Sequence, residues 1–194
     1  ERESRGWQLN LPQSRRSTLK DFKVAVWCND EIAPVSKEIA ERCEEVGKNL
    51  ESAGVSVSYT AKPGHDFLKS EINYQLLLQS VMQSGMSEDE FKKIETIANN
   101  LEPNDLSVDA LLAKGTVLSH RNWIRQNYAR EQTKISWENF FKEWDILICP
   151  QLATTAIEHD HRKISERTIM VDNQEQRYFQ QIFWPGLAVN AHLP

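Results

Sequence analysis

Cys149, His159, Asp160 and His161 lie within thirteen residues of one another in "WDILICPQLATTAIEHDH", Trp144 to His161, the stretch of the chain richest in potential chemistry. A thiol close to an imidazole becomes a nucleophile only if a neighbouring base or cation lowers its pKa. On that reading Cys149 is the nucleophile, with His159 or His161 as its base. The opposing reading is structural: Cys149 ends the apolar run "ILIC", where a free cysteine behaves as a small buried hydrophobe. The H-x-H pair could also hold zinc. Alternate residues of an extended segment supply at most two imidazoles, however, and no further Cys/His cluster completes a tetrahedral site. The remaining option is a polar loop in which Asp160 and His159 bond the backbone or each other.

The elements that would position these groups follow from apolar spacing. "FKVAVW" reads as a strand with Phe22, Val24 and Val26 on one pleat face. In "PVSKEIAERCEEVGKNLESAG", Val35, Ile39, Cys43, Val46 and Leu50 recur at helical spacing, with Pro34 suited to a first turn and Gly54 to the position after the last. "VSVSYT" alternates Val55, Val57 and Tyr59 with polar residues, a second strand. Strand, helix and strand in this order predict a parallel unit with a right-handed crossover. From Asp66 to Phe141 the pattern turns helical. "DFLKSEINYQLLLQSVMQ" forms one helix and "SEDEFKKIETIANNL" a second, opened by a Ser87 to Glu90 capping box. "SVDALLAKGTVLSHRNWIRQNYAREQ" makes a single long third, which "SWENFFKEW" continues or restarts. "ILIC" is a continuous apolar run, which predicts a strand buried on both faces. "RTIMVDNQEQRY" predicts a hairpin turning at Asp172 and Asn173, and "QRYFQQIFWPGLAVNAHLP" a helix that stops near Pro185 and Gly186. The opening segment reads as an extended arm without periodicity that wraps over something, and "SRRS" at 14–17 as a solvated turn.

The predicted class is therefore α/β: a mixed, largely parallel sheet with flanking helices and a helical lobe. The divisions are an arm at 1–21, a strand-helix-strand unit at 22–62, a helical lobe at 63–143, and a strand, loop, hairpin and terminal helix at 144–194. A chain of 194 residues with 40% hydrophobic content is long enough to bury a sizeable core. No apolar run approaches the ~20 residues of a membrane span. A net charge of -5 without a basic stripe gives no nucleic-acid footprint. Three scattered cysteines predict a reducing, cytoplasmic setting. Neither G-x-G-x-x-G, G-x-x-x-x-G-K-[ST] nor G-x-S-x-G occurs, so the usual nucleotide cradles and the nucleophile elbow are missing, and no cofactor is expected. His65 and His120 stand alone. Ligands of open α/β sheets lie beyond the carboxyl ends of the strands, which directs attention to "PQLATT" after "ILIC". An ordinary connecting loop satisfies the same pattern.

Several stretches go beyond generic texture. "GWQLNLP…LKDFKVAVWCNDEIAPVSKEI" resembles the segment of amidase signature enzymes in which a G-W-x-L-x-L-P arm precedes a strand, an acidic turn and P-V. "LSHRNWIRQNYAREQTKISWENFFKEWDILICP" is similar to that family's basic tryptophan-containing helix, its W-x-x-F-F turn and its D-x-L-L-x-P strand. "EHDHRK…RTIMVDNQEQRYFQQIFWPGLAVNAHLP" follows in the same order. The resemblance implies a hydrolase of small carboxamides with a serine nucleophile, a second serine in a cis peptide that relays protons, and a lysine base. Those residues belong to a Gly/Ser-rich core and a lysine segment expected ahead of the arm, so no serine or lysine here takes over a catalytic role and the chain alone is expected to be inactive. What carries over as substrate-binding is Pro150, Gln151 and Leu152, whose counterpart runs near the family's substrate cleft, with Trp184 as a secondary candidate, although P-Q-L-A-T-T departs from the family's P-T-x-P. Exposed apolar surface would favour self-association. The alternative from another class is a non-catalytic binding or adaptor domain.

Overall fold

Strand β1 (Lys23–Val26) is the middle of a three-stranded parallel sheet, between β2 (Ser56–Ser58) and β3 (Ile146–Ile148). The computed structural model describes residues 3–163 and 166–194. Val24 of β1 pairs in register with Val57 on one side and Ile146 on the other. β1 takes the centre because both its faces are apolar. Val24 and Val26 pack with Val55, Leu50 and Ile148, while Ala25 and Trp27 face the main core of Trp137, Phe140, Ile169, Phe183 and Trp184. Fully burying a valine, isoleucine or phenylalanine side chain contributes about 1.5 to 3 kcal/mol.

The expectation that "ILIC" is an inner strand is corrected. β3 is an edge strand, with Ile146 40% exposed. An unbroken apolar run cannot distinguish a central strand from an edge strand whose outer side is itself an apolar groove.

Helix α1 (Lys37–Ser52) joins β1 to β2. Ser36 caps it, its Oγ accepting the Ile39 N–H at 3.4 Å, and Gly54 follows the last turn with φ 87°. Pro34 lies ahead of the cap rather than in the first turn. The predicted stripe is rotated as well: Val46 is exposed, and the buried position is Gly47, where an added Cβ would come within 2.7 Å of the Tyr59 hydroxyl.

The lobe contains α2 (Phe67–Met82), α3 (Glu88–Asn99), α4 (Val108–Thr116) and α5 (His120–Glu143). The Ser87 to Glu90 capping box is present, with Ser87 Oγ donating to Glu90 at 2.6 Å. The predicted single long third helix is two helices. Ser119 Oγ accepts the Asn122 N–H at 3.3 Å, so a fresh N-cap begins α5 in the middle of an otherwise helical pattern. α2 and α4 approach closely because Gly115 has no side chain: a Cβ there would sit 2.7 Å from Gln79 Cβ and 3.0 Å from the Leu76 carbonyl. Gly115→Ala is therefore expected to destabilise by about 1 to 3 kcal/mol through overpacking. Helix propensity alone would stabilise it by about 1 kcal/mol. The sign of the shift in a urea titration decides which effect wins.

The predicted hairpin is present as β4 (Thr168–Val171) and β5 (Gln174–Arg177), antiparallel, with Asp172 and Asn173 at φ 47° and 66°. Two consecutive positive φ values make this a tight turn suited to the twist of the strands. Asp172 also accepts the Lys37 N–H at 2.6 Å, placing a carboxylate at the positive end of α1. A 3-10 turn at Tyr178–Ile182 leads into α6 (Phe183–Ala191). The predicted stop at Pro185 is corrected: this proline is the third residue of α6, inside the first turn, where a missing N–H breaks no intrahelical bond.

The first part of the arm covers none of the core. Trp7, Leu9 and Leu11 are 76%, 86% and 68% exposed. Its anchor is the pair expected to form a solvated turn: Arg15 and Arg16 both bind Asp145, at 3.1 and 2.9 Å. Among the described residues no helix is long and apolar enough to cross a membrane.

Candidate functional site

The carboxyl ends of β1 and β3 open into two loops that lock together. The Trp27 N–H donates to the Ile148 carbonyl at 2.9 Å, and the Ser36 N–H to the Ala153 carbonyl at 2.7 Å. Residues 29–35 have no regular structure, so their backbone groups need other partners. Asn29 Oδ1 accepts the N–H groups of Asp30 and Val35, both at 3.0 Å. Three successive carbonyls then receive side-chain donors: Ile32 from Gln180 Nε2 at 2.7 Å, Ala33 from Trp184 Nε1 at 3.0 Å, and Pro34 from Gln176 Nε2 at 3.3 Å. Lys62, from the loop after β2, pairs with Asp30 at 3.1 Å and lies over the Trp27 ring at 4.3 Å. The frame around the strand ends is thus bonded from the hairpin, the 3-10 turn and α6 together.

Pro150, Gln151 and Leu152 run along this frame. Pro150 is buried, Gln151 and Leu152 are exposed, and the next residue, Ala153, is fully buried and bonded to Ser36. The structure therefore presents two side chains to solvent between two fixed points. Trp184 differs from that pair in being buried. That indole is 1% exposed, packs edge-on against Trp27 at 5.3 Å, and spends its only polar group on Ala33. Through Ala33 and Ser36 it supports the loop from below.

The thiol chemistry does not assemble. Burial pushes the Cys149 thiol up to about 11, and Cys28 likewise, so both are protonated near neutral pH. His159 and His161 are exposed, their rings 6.3 Å apart, and Asp160 between them is bound by Arg162, whose hydrogen bonds at 2.7 to 3.1 Å hold its carboxyl down to about 2. Among the described residues no group of three or more His, Cys, Asp or Glu side chains is arranged to hold a metal ion. His65 contacts Ser136 through Nδ1 at 3.1 Å, with its ring against Phe67, and burial lowers its pKa. No hydrogen bond among the described residues joins a lysine Nζ to a serine Oγ.

A model of the Amidase family matches residues 6–185, nearly all of the arm, sheet, lobe and hairpin just described. The chain belongs to the amidase family. A comparison with curated proteins gives no match. Membership indicates an amidase-type hydrolase, a family whose substrates are in general small-molecule amides, and the α/β architecture agrees with it.

Two features of this amidase chain escaped the sequence reading. Beside the open edge of β3 runs a groove of about 340 Å³, walled by Trp137, Phe141, Leu147, Leu187 and Leu193, with Cys149 on its lining. The Arg15, Arg16 and Asp145 cluster stands at its end. An acid immediately ahead of an apolar strand was the available signal, since a carboxylate buried there requires a cation.

Proposed function

We propose that this chain forms the flank of a serine amidase, and that Gln151 and Leu152, set by Pro150 and supported by Trp184, form one wall of its substrate cleft. The observation that carries the reading is the exposed pair Gln151 and Leu152 at the carboxyl end of β3, held between buried Pro150 and Ala153, in a chain of the amidase family. Ligands of open α/β sheets bind beyond that end of the strands. The division into arm, 22–62 unit, lobe and 144–194 unit serves this role, with the two sheet units presenting the cleft wall and the lobe backing it.

The chemistry proposed for the complete site is acyl transfer. A neutral lysine accepts the nucleophile's proton through a bridging serine, the serine oxygen attacks the amide carbon, and the amine departs with that proton. Water then hydrolyses the acyl-serine to the acid. The described residues of this chain bring no such trio together, and its thiols are protonated. Alone, in the cytoplasmic setting its free cysteines suggest, it is inactive toward amides, and the open β3 groove and exposed arm favour self-association.

The test has two parts. Acetamide and benzamide incubated with the 194-residue chain should release no ammonia; turnover would overturn the inactivity, and its loss in Cys149→Ala would revive the thiol. In a hydrolase that contains this chain, Gln151→Ala and Leu152→Ala should raise KM about fivefold to thirtyfold, the range of one lost polar or apolar contact of about 1 to 2 kcal/mol. Unchanged KM in both variants would remove these residues from the cleft.

A further inference from the structure

Between the lobe and the C-terminal unit lies a second cleft, of about 160 Å³, whose walls include Leu68, Ile72, Leu111, Phe179 and Phe183. One acidic group faces this apolar lining. Glu71 stands on α2, half-buried, and its carboxylate accepts a hydrogen bond from Gln75 Nε2 at 2.6 Å. The ion pairs among the described residues do not include Glu71. Burial pushes its carboxyl above the ordinary range, against the one opposing influence, the Gln75 amide. Arg177 also lines the cleft, but it is exposed, where water and salt screen its charge.

A carboxylate in apolar surroundings loses hydration that a single neutral amide does not replace, and a cation entering beside it restores the lost stabilisation. The size of the space limits what can carry that cation. A dry apolar cavity of about 150 Å³ holds one benzene ring.

We propose that this cleft is a binding site for a small apolar ammonium ion, a primary amine on a single ring or a short branched alkyl body, with Glu71 as its counter-ion. The apolar body packs on Leu68, Ile72, Leu111 and Phe179, and the ammonium donates to the Glu71 carboxylate on the side that Gln75 leaves open. The site is built from α2, the segment leading into α4 and its first turns, the residues around the 3-10 turn, and Ile32 of the loop after β1; no residue of 150–152 lines it, so its test is separate from that of the amide cleft.

Benzylammonium is the probe and benzyl alcohol its neutral counterpart, titrated calorimetrically into the 194-residue chain at pH 8 and low salt. For eight heavy atoms, benzylammonium is expected to bind with Kd on the order of 1 mM or below. It should bind at least about tenfold more tightly than the alcohol, the preference one desolvated charge pair supplies. Glu71→Gln should bring the two affinities together while leaving the melting temperature within a few degrees of the parent. Leu106→Trp, at a half-exposed lining position, should block the mouth and weaken both. Equal binding of amine and alcohol by the parent chain, no heat from benzylammonium up to about 10 mM, or a preference that survives Glu71→Gln would overturn the proposal. If Glu71→Gln does not fold, Leu106→Trp decides: benzylammonium binding unchanged in that variant overturns it as well.

Discussion

Trp184→Ala is expected to remove about 5 kcal/mol of stability, most of what a domain of this size has. Truncating a buried tryptophan costs about 3 to 5 kcal/mol in lost burial and cavity formation. This side chain is 1% exposed and wedged between Trp27 and Phe183, with ring centres 5.3 and 5.2 Å away. Its indole N–H also satisfies the Ala33 carbonyl, and a buried acceptor left alone costs about 1 to 3 kcal/mol more. Net stabilities are only about 5 to 15 kcal/mol, so the alanine variant should unfold in mild urea or fail to accumulate. Trp184→Phe separates the two contributions. It keeps a ring in the core and loses the donor, so it should cost about 1 to 3 kcal/mol. The phenylalanine variant also reports on the site: the Ser36 amide, bonded to Ala153, should exchange faster with deuterium once Ala33 is released. A loss below about 2 kcal/mol in Trp184→Ala, with Ser36 exchange unchanged, would show that the loop at 150–153 does not depend on this prop.

The parts of the fold that sequence exposed are those decided locally. The capping box at Ser87 and Glu90, the Gly54 position after α1, and the Asp172-Asn173 turn each follow from a residue type whose backbone preference is strong, and each is present. The parts it hid are decided by partners distant in the chain. Nothing in "ILIC" says that β1 rather than β3 is central, because that depends on which strand can bury both faces. Nothing in "ALLAKGTVLSHRNW" marks a break except Ser119, and a serine inside a helical pattern does not by itself say whether it caps a new helix or continues the old one. Pro185 carries a strong local signal that points the wrong way, since proline terminates a helix from its interior and begins one from its first turn. At the site, "PQLATT" could be placed at a strand's carboxyl end from order alone. The side chains that make its neighbour loop rigid, Gln176, Gln180 and Trp184, lie more than 140 residues away in the chain. Glutamine carries no positional preference that would reveal such a bond beforehand.

Asp145→Ala is the second large loss, expected at about 3 kcal/mol, and it tests whether the arm is part of the folded unit. The Asp145 side chain is 4% exposed. It accepts the Lys23 N–H at 2.9 Å, the Arg16 Nε at 2.9 Å and Arg15 NH2 at 3.1 Å, so one carboxylate joins the arm, the start of β1 and the start of β3. Removing one partner of a fully buried ion pair costs about 3 to 5 kcal/mol. The two arginines are 56% and 34% exposed and can return to water, which places the effect at the lower end. Asp145→Asn keeps an acceptor for Lys23 and should lose about 2 kcal/mol. The pH dependence follows from the direction of the shift. Burial raises the carboxyl's pKa, the Lys23 N–H and the Arg16 and Arg15 charges outweigh it, and the folded value ends below the ordinary one. A carboxylate depressed in this way stabilises fully above its unfolded pKa of about 4, and the contribution fades as pH falls through the folded value. The gap in unfolding free energy between parent and Asp145→Asn should therefore be constant from pH 5 to pH 8, to order of magnitude. It should narrow below about pH 4, while Arg15 and Arg16 stay charged throughout. A gap that widens on acidification, or tryptic cleavage after Arg15 and Arg16 that is no faster in the alanine variant than in the parent, would mean that Asp145 does not hold the arm to the sheet.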